Sequence, residues 1–201
     1  MVTIRGASSS DVDRIVEIIH GVPVPEALAL AGTADLAREF GAGLVRLDGI
    51  PNEDKPTVVA VDGDCIVGVL QYRVGGHATP ITLDHVKLAL SVFGPVGSLK
   101  RLPRFRARSR VDLPTPANSF YIDELDVDPL RRGQGIGGQL LSWAVDEARR
   151  CGIVNMSLHT TTANPARRLY ERHGFVVTQT AVDRRYEAYT GIAGRLLMER
   201  R

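Results

Sequence analysis

The segment RRGQGIGG, residues 131–138, stands between a β-rich run and an amphipathic one. Gly133, Gly135 and Gly137 let the backbone turn tightly with no Cβ in the way. Successive N–H groups and the start of the next helix then converge on one point, which favours anionic oxygens. Arg132 adds a positive charge there, and a pyrophosphate suits the site. The alternative is a glycine loop that merely turns from strand to helix. Either way the loop demands a strand before it and a helix after it, which makes this an α/β chain.

The rest of the second half fits that demand. Residues 119–127 (SFYIDELDV) read as a strand, followed by the loop and a helix to about Arg150. A strand at 153–159, a helix at 165–173 and a strand from 175 complete a β-α-β-α-β order, and a last strand is expected near 194–199. Parallel pairing is expected for the strands flanking the first of these helices. That helix places Leu140, Leu141, Ala144, Val145 and Ala148 on one face and Gln139, Ser142, Asp146, Arg149 and Arg150 on the other, as a helix covering a sheet does. Trp143 and Phe175 read as core.

Upstream, residues 2–5 form a short strand, and Val12, Ile15, Val16 and Ile19 share a helical face capped by Ser10 with Asp13 at the capping-box position. An Ala/Leu-rich segment after Pro25 predicts a second helix ending at Phe40 and Gly41. Residues 57–62 and 65–74, joined by Gly63 and Asp64, predict an antiparallel hairpin. Residues 75–118 read as an insertion, with Leu83, Val86, Leu90 and Phe93 on a helical face. Its basic run, Lys100, Arg101, Arg104, Arg106, Arg108 and Arg110, is either a solvated cationic face or a contact for an anionic ligand or acceptor, with nucleic acid a distant third. At 201 residues the chain suits one domain, 1–201, carrying that insertion.

Composition excludes several classes. The formal net charge is only +2, too small for wholesale binding to nucleic acid or an acidic membrane. No apolar run approaches a membrane span and the N-terminus lacks a signal-peptide core, so a cytoplasmic protein is expected. Cys65 and Cys151 form no metal or disulfide pattern and read as core thiols. The five histidines, His20, His77, His85, His159 and His173, are scattered, which predicts no metal; His159 and His173 read as packing residues.

Two phosphate-binding rivals fail. A nucleotide-triphosphate loop needs Lys and then Ser or Thr after its last glycine, but Gly138 is followed by Gln139 and Leu140. A dinucleotide fingerprint is formally met by Gly133, Gly135 and Gly138, yet the next strand ends in Ser157, Leu158 and His159 with no acid for a ribose.

The text YIDELDVDPLRRGQGIGGQLL together with NPARRLYERHGF at 164–175 resembles the GNAT superfamily of N-acetyltransferases. Arg132, Gly135 and Gly137 fill, in order, that family's acetyl-CoA signature of Gln or Arg, two residues, Gly, one residue, and Gly or Ala. The resemblance is clear over 119–180 and implies a mixed, mostly antiparallel sheet, α+β in class, splayed between its fourth and fifth strands, with helices on both faces. It implies acetyl-CoA as co-substrate, bound by the loop residues Arg132, Gly133, Gln134, Gly135, Ile136 and Gly137, by the backbone of Leu125, Asp126 and Val127, and by Asn164.

The implied reaction moves an acetyl group to a primary amine by direct attack. An ammonium has no lone pair, so a base is needed, and Glu124 is chosen among Asp123, Glu124, Asp126 and Asp128; these acids could instead be surface charges pairing with nearby arginines. Tyr170, on the inward face of the helix after Asn164 and Pro165, is by resemblance the acid that protonates the departing thiolate; a core aromatic is the plain alternative. The acceptor would be a small-molecule or peptide amine, with no nucleic acid and no membrane as partner. An exposed terminal strand could pair with a second copy to make a homodimer. The competing function is a CoA-binding regulatory or partner-docking module without turnover, and a nicotinamide oxidoreductase ranks well below both.

Overall fold

The computed structural model describes residues 2–75 and 81–201; His77 and most of the glycine-rich opening of the insertion lie outside them. In chain order the elements are β1 (Val2–Gly6), α1 (Val12–His20), α2 (Pro25–Ala31), α3 (Ala34–Asp48), β2 (Thr57–Asp62), β3 (Cys65–Val74), α4 (Leu83–Ser109), β4 (Phe120–Val127), α5 (Ile136–Arg150), β5 (Met156–Thr161), α6 (Arg167–Arg172), β6 (Val176–Val182), α7 (Arg184–Thr190) and β7 (Gly194–Arg200). The strands form one sheet in the order β1-β2-β3-β4-β5-β7-β6. Among the described residues only β4 and β5 pair in parallel. This is the mixed, mostly antiparallel α/β sheet expected, with helices on both faces.

The two faces have separate cores. On one, α5 buries Ile136, Leu140, Leu141, Ala144 and Ala148 against Leu70, Phe120, Ile122, Leu158 and Met198, as its apolar stripe requires. Each buried Leu, Ile, Phe or Met side chain among them contributes roughly 1.5–3 kcal/mol. On the other, Ile15, Ile18 and Ile19 of α1 meet Val59 and Val69.

Several expectations need correction. The terminal strand β7 is not an edge: it lies between β5 and β6, so the exposed edge there is β6. The Ala/Leu-rich segment is two helices, because Gly32, at φ 90°, ends α2 and the Thr33 hydroxyl accepts from Leu36 N to start α3. Nor does Gly41 stop α3, which runs to Asp48; a Cβ on Gly41 would stand 2.5 Å from the His20 ring, so this glycine serves close helix packing. Ser8 and Asp11, rather than Ser10 and Asp13, make the capping box, on a single 3₁₀ turn before α1. Cys65 and Cys151 are exposed. The short α7 has no counterpart in the sequence pattern.

The insertion also differs from its sequence reading. Leu83, Val86 and Leu90 are exposed, while Phe93 meets Phe40 with ring centroids 5.0 Å apart. Helix α4 breaks at Gly94, whose φ is 66°, just before Pro95. The basic run is neither a plain solvated face nor free for a ligand along its length. Arg101 Nε donates to Ala31 O at 3.0 Å and Arg104 Nη1 to Ala29 O at 3.1 Å, satisfying the orphan carbonyls at the end of α2. Arg108 pairs with Glu26 and Asp112. Arg101→Met is therefore expected to lower unfolding free energy by about 1–2 kcal/mol in urea titrations, with CoA affinity unchanged. Weakened CoA binding at unchanged stability would place Arg101 at a ligand instead.

Candidate active site

Strand β4 hydrogen-bonds to β5 only through Phe120–Ile122 and Met156–Leu158. Beyond that point the strands part: β4 continues along β3 to Val127 and β5 along β7 to Thr161. The facing backbone edges in the gap are left without each other as partners, so they are open to a ligand with amide groups. The gap is a cavity of about 370 Å³ bounded by β4, β5, the start of α2, the turn before α6, and β7.

The register of β4 decides what faces the cavity. A bulge between the pairs Gln71↔Glu124 and Tyr72↔Ile122 leaves Asp123 as an extra residue. Ile122 and Leu125 both pack on the α5 side, so Asp123 and Glu124 are the residues given to the other side. Asp123 is tied down there by Arg73 at 2.6 Å and Lys55 at 3.1 Å. Lys55 also holds Asp48 at 3.0 Å. The plain reading of the acids as charges paired with nearby basic groups thus describes Asp123, and also Asp128, which binds Arg14.

Glu124 and Asp126 both line the cavity. Burial pushes the Glu124 carboxyl well above the usual range, and the charges of Asp126 and Asp123 push it further, against the opposing ammonium of Lys55. Asp126 is raised as well, chiefly by burial, with Arg132 opposing. Burial thus favours the protonated form of both carboxyls.

Tyr170 lines the same cavity and is only 7% exposed. Burial, then the negative charges of Asp126 and Glu124, raise its phenol, which stays protonated. Asn164 lies beside it, its Oδ1 accepting from Ala166 N at 2.9 Å, so this side chain shapes the turn into α6. Leu125 and Val127 point their side chains into the α5 core, leaving their backbone to the gap.

The loop leads from β4 to α5. Asp128 caps the 3₁₀ turn Pro129–Arg131, and Arg132 Nε donates to Val127 O at 3.2 Å. Arg132, Gly133, Gln134 and Gly135 are exposed. Gly135, the N-cap of α5, has φ 81°, a conformation that a residue with a Cβ adopts at a cost. The first N–H groups of α5, from Ile136 and Gly137 onward, lack intrahelical partners and point past this loop. A diphosphate fits that end and a thioester the gap, so the donor set accommodates CoA.

Other residues of the site were not singled out by their pattern. His159, read as packing, borders the cavity, as do Glu26, Thr160 and Arg195. Their signal is register: each depends on which strand lies beside which, and β7 beside β5 is not written in local periodicity. His173, by contrast, does pack, its Nδ1 2.9 Å from Leu169 O.

A sheet splayed at a parallel pair, with a glycine loop capping the next helix, defines an acetyl-CoA-dependent acyltransferase fold. Comparison with known proteins agrees: the acetyltransferase (GNAT) family pattern matches residues 34–175, and the chain belongs to that family. It is 47% identical over 130 residues to the aminoalkylphosphonate N-acetyltransferase of Salmonella typhimurium, a match spanning 61% of this chain and 79% of that one. Among solved structures, the fold is similar to an acetyltransferase from Corynebacterium glutamicum described as histone acetyltransferase HPA2 and related, with a TM-score of 0.66 at 21% identity over 99% of this chain and 95% of that one. It is also similar to the PaiA N-acetyltransferase of Thermoplasma acidophilum in complex with coenzyme A, with a TM-score of 0.60 at 16% identity over 100% and 99% of the two chains. This chain is an acetyl-CoA-dependent N-acetyltransferase.

Proposed function

We propose that this enzyme acetylates a small primary amine by direct attack on the thioester, with Glu124 as base and Tyr170 as acid. One observation carries the reading: an acid pair and a protonated phenol face one cavity where the sheet opens beside the glycine loop. Bound acetyl-CoA supplies an activated acyl group and a thiolate leaving group. Arg132 and the N–H groups of 133–137 hold the diphosphate, and Asn164 and the open edge of β4 hold the arm. The N–H groups of β4 also meet the charge that grows on the thioester oxygen. The Glu124–Asp126 pair removes a proton from the incoming ammonium, and Tyr170 gives one to sulfur. No covalent enzyme intermediate is required.

The Salmonella relative's name makes an aminoalkylphosphonate the first acceptor to try. The test is release of CoA thiol from acetyl-CoA across a panel of amines. Steady release with at least one amine supports the reading; tight CoA binding with no release for any amine favours a regulatory CoA-binding module. The loop has its own test. Gly135→Val puts a branched side chain at φ 81° and beside the diphosphate, and calorimetry is expected to show CoA affinity lowered by at least about tenfold. Affinity equal to the parent's would remove this loop from the site.

A further inference from the structure

The cavity has two chemically different walls. Glu124 and Asp126 on β4 offer acids. Across the gap, β5 and β7 offer donors. Arg195 pairs with Thr161, two residues beyond His159, so Arg195 and His159 share a face of the sheet. It is the face of the acid pair: Tyr121, which bonds His159, alternates with Phe120 and Ile122 of the α5 core, as Glu124 alternates with Leu125. Both His159 and Arg195 line the cavity.

Neither donor is used up by the protein. The Tyr121 hydroxyl lies 3.0 Å from His159 Nδ1. Burial keeps that phenol protonated and lowers the imidazole pKa, and in the tautomer where Tyr121 donates to Nδ1 the ring proton sits on Nε2. Among the described residues, His159 Nε2 is buried with no hydrogen-bond partner, and so is Arg195 Nε. Buried donors are rarely left this way in a finished site, and a ligand acceptor is one way to complete them.

The surrounding charges leave Arg195 underpaired as well. Its nearest carboxylate, Asp112, is 3.6 Å away, beyond hydrogen-bond length, and Arg108 binds that carboxylate more closely. Glu26, the acid on this side of the cavity, is taken by Arg108 at 2.6 Å. Asp123 is taken by Lys55 and Arg73. The Arg195 side chain is nonetheless only 16% exposed, so it is a cation held in the wall whose counter-charge among the described residues is an Asp112 carboxylate shared with Arg108.

We infer that Arg195 and His159 form the subsite for an anionic group on the acceptor, which is therefore a small amine bearing an acid, its nitrogen at Glu124 and Asp126 and its acid group at β7. This rests on the acetyl-transfer reading and deepens it by naming what distinguishes the acceptor from a plain alkylamine. A planar guanidinium with a neighbouring N–H suits carboxylate or phosphonate oxygens alike.

The experiment compares three amines of equal reach: 2-aminoethylphosphonate, β-alanine and propylamine. Both acids are expected to exceed propylamine in kcat/KM, and the larger of their two values says which acid group the subsite prefers. In Arg195→Gln the preference for acid over methyl is expected to fall by about tenfold to a hundredfold, as for a lost charged hydrogen bond. His159→Leu should reduce the preference in the same direction by a smaller factor. Arg195→Lys, which keeps the charge but not the fork, should lose several-fold, and it decides the matter if Arg195→Gln does not fold. A parent enzyme that favours propylamine, or an Arg195 variant with unaltered preference, overturns the subsite. Calorimetric titration of the CoA-loaded protein with the same amines separates this from the reaction itself. Arg195-dependent binding of the acids without acetylation keeps the subsite and removes the transfer reading. Acetylation of all three amines with no Arg195 dependence does the reverse, and failure of both acids to bind overturns the subsite.

Discussion

Replacing Tyr170 with Phe is expected to leave CoA affinity near that of the parent and to lower kcat by between about tenfold and ten-thousandfold. The phenol has no competing structural task of comparable size. Its ring packs edge-on to Phe175, with centroids 6.3 Å apart, and phenylalanine keeps that contact. What the variant loses is the hydroxyl, held protonated by burial and by the neighbouring carboxylates. The same burial raises the basicity of a thiolate formed beside it, so donor and acceptor stay matched although both lie above their values in water. Thiol release at saturating acetyl-CoA and amine reads kcat directly, and calorimetry reads CoA binding. An unchanged kcat with only a shifted thermal midpoint would make Tyr170 a core aromatic.

How much of this was legible in the sequence depends on range. Short-range chemistry was readable: Gly63 and Asp64 turn β2 into β3, Gly135 opens α5, and Leu140, Leu141 and Ala144 reach the core their spacing points to. Long-range placement was not. Arg101 and Arg104 read as available to an anion because their carbonyl partners lie 70 and 75 residues earlier, at the end of a helix whose break at Gly32 no local pattern marks. The bulge that frees Asp123 from the alternation of β4 is a property of the β3–β4 pair, so no pattern within SFYIDELDV announces it. Arg195 enters the site only because β7 inserts beside β5. Helix α7 is seven residues long and buries only Tyr186, too little for a period to show.

Glu124→Gln is expected to reduce kcat/KM by about a hundredfold to ten-thousandfold at neutral pH and to abolish or move the acidic limb of the pH–rate profile. In the parent, rate should rise with pH as the Glu124–Asp126 pair gives up its proton, and the limb should lie well above the ordinary glutamate value of about 4.3. The substitution has a second consequence, in stability, with a definite sign. Below about pH 4 the carboxyl is protonated in folded and unfolded chains alike and contributes no pH dependence. As pH rises from there to the raised folded value, the unfolded chain has released a proton that the folded chain still holds, so stability falls. Above the folded value the full cost of a buried charge next to Asp126 and Asp123 is present. Glutamine carries no such charge, so Glu124→Gln should unfold at a higher temperature than the parent at pH 8–9 and show no such advantage near pH 4. An enzyme less active but more stable, with the gain confined to high pH, is the signature of a carboxylate held out of water to act as a base. A variant with the parent's acidic limb and rate would move that role to Asp126 or to an acceptor that arrives already neutral.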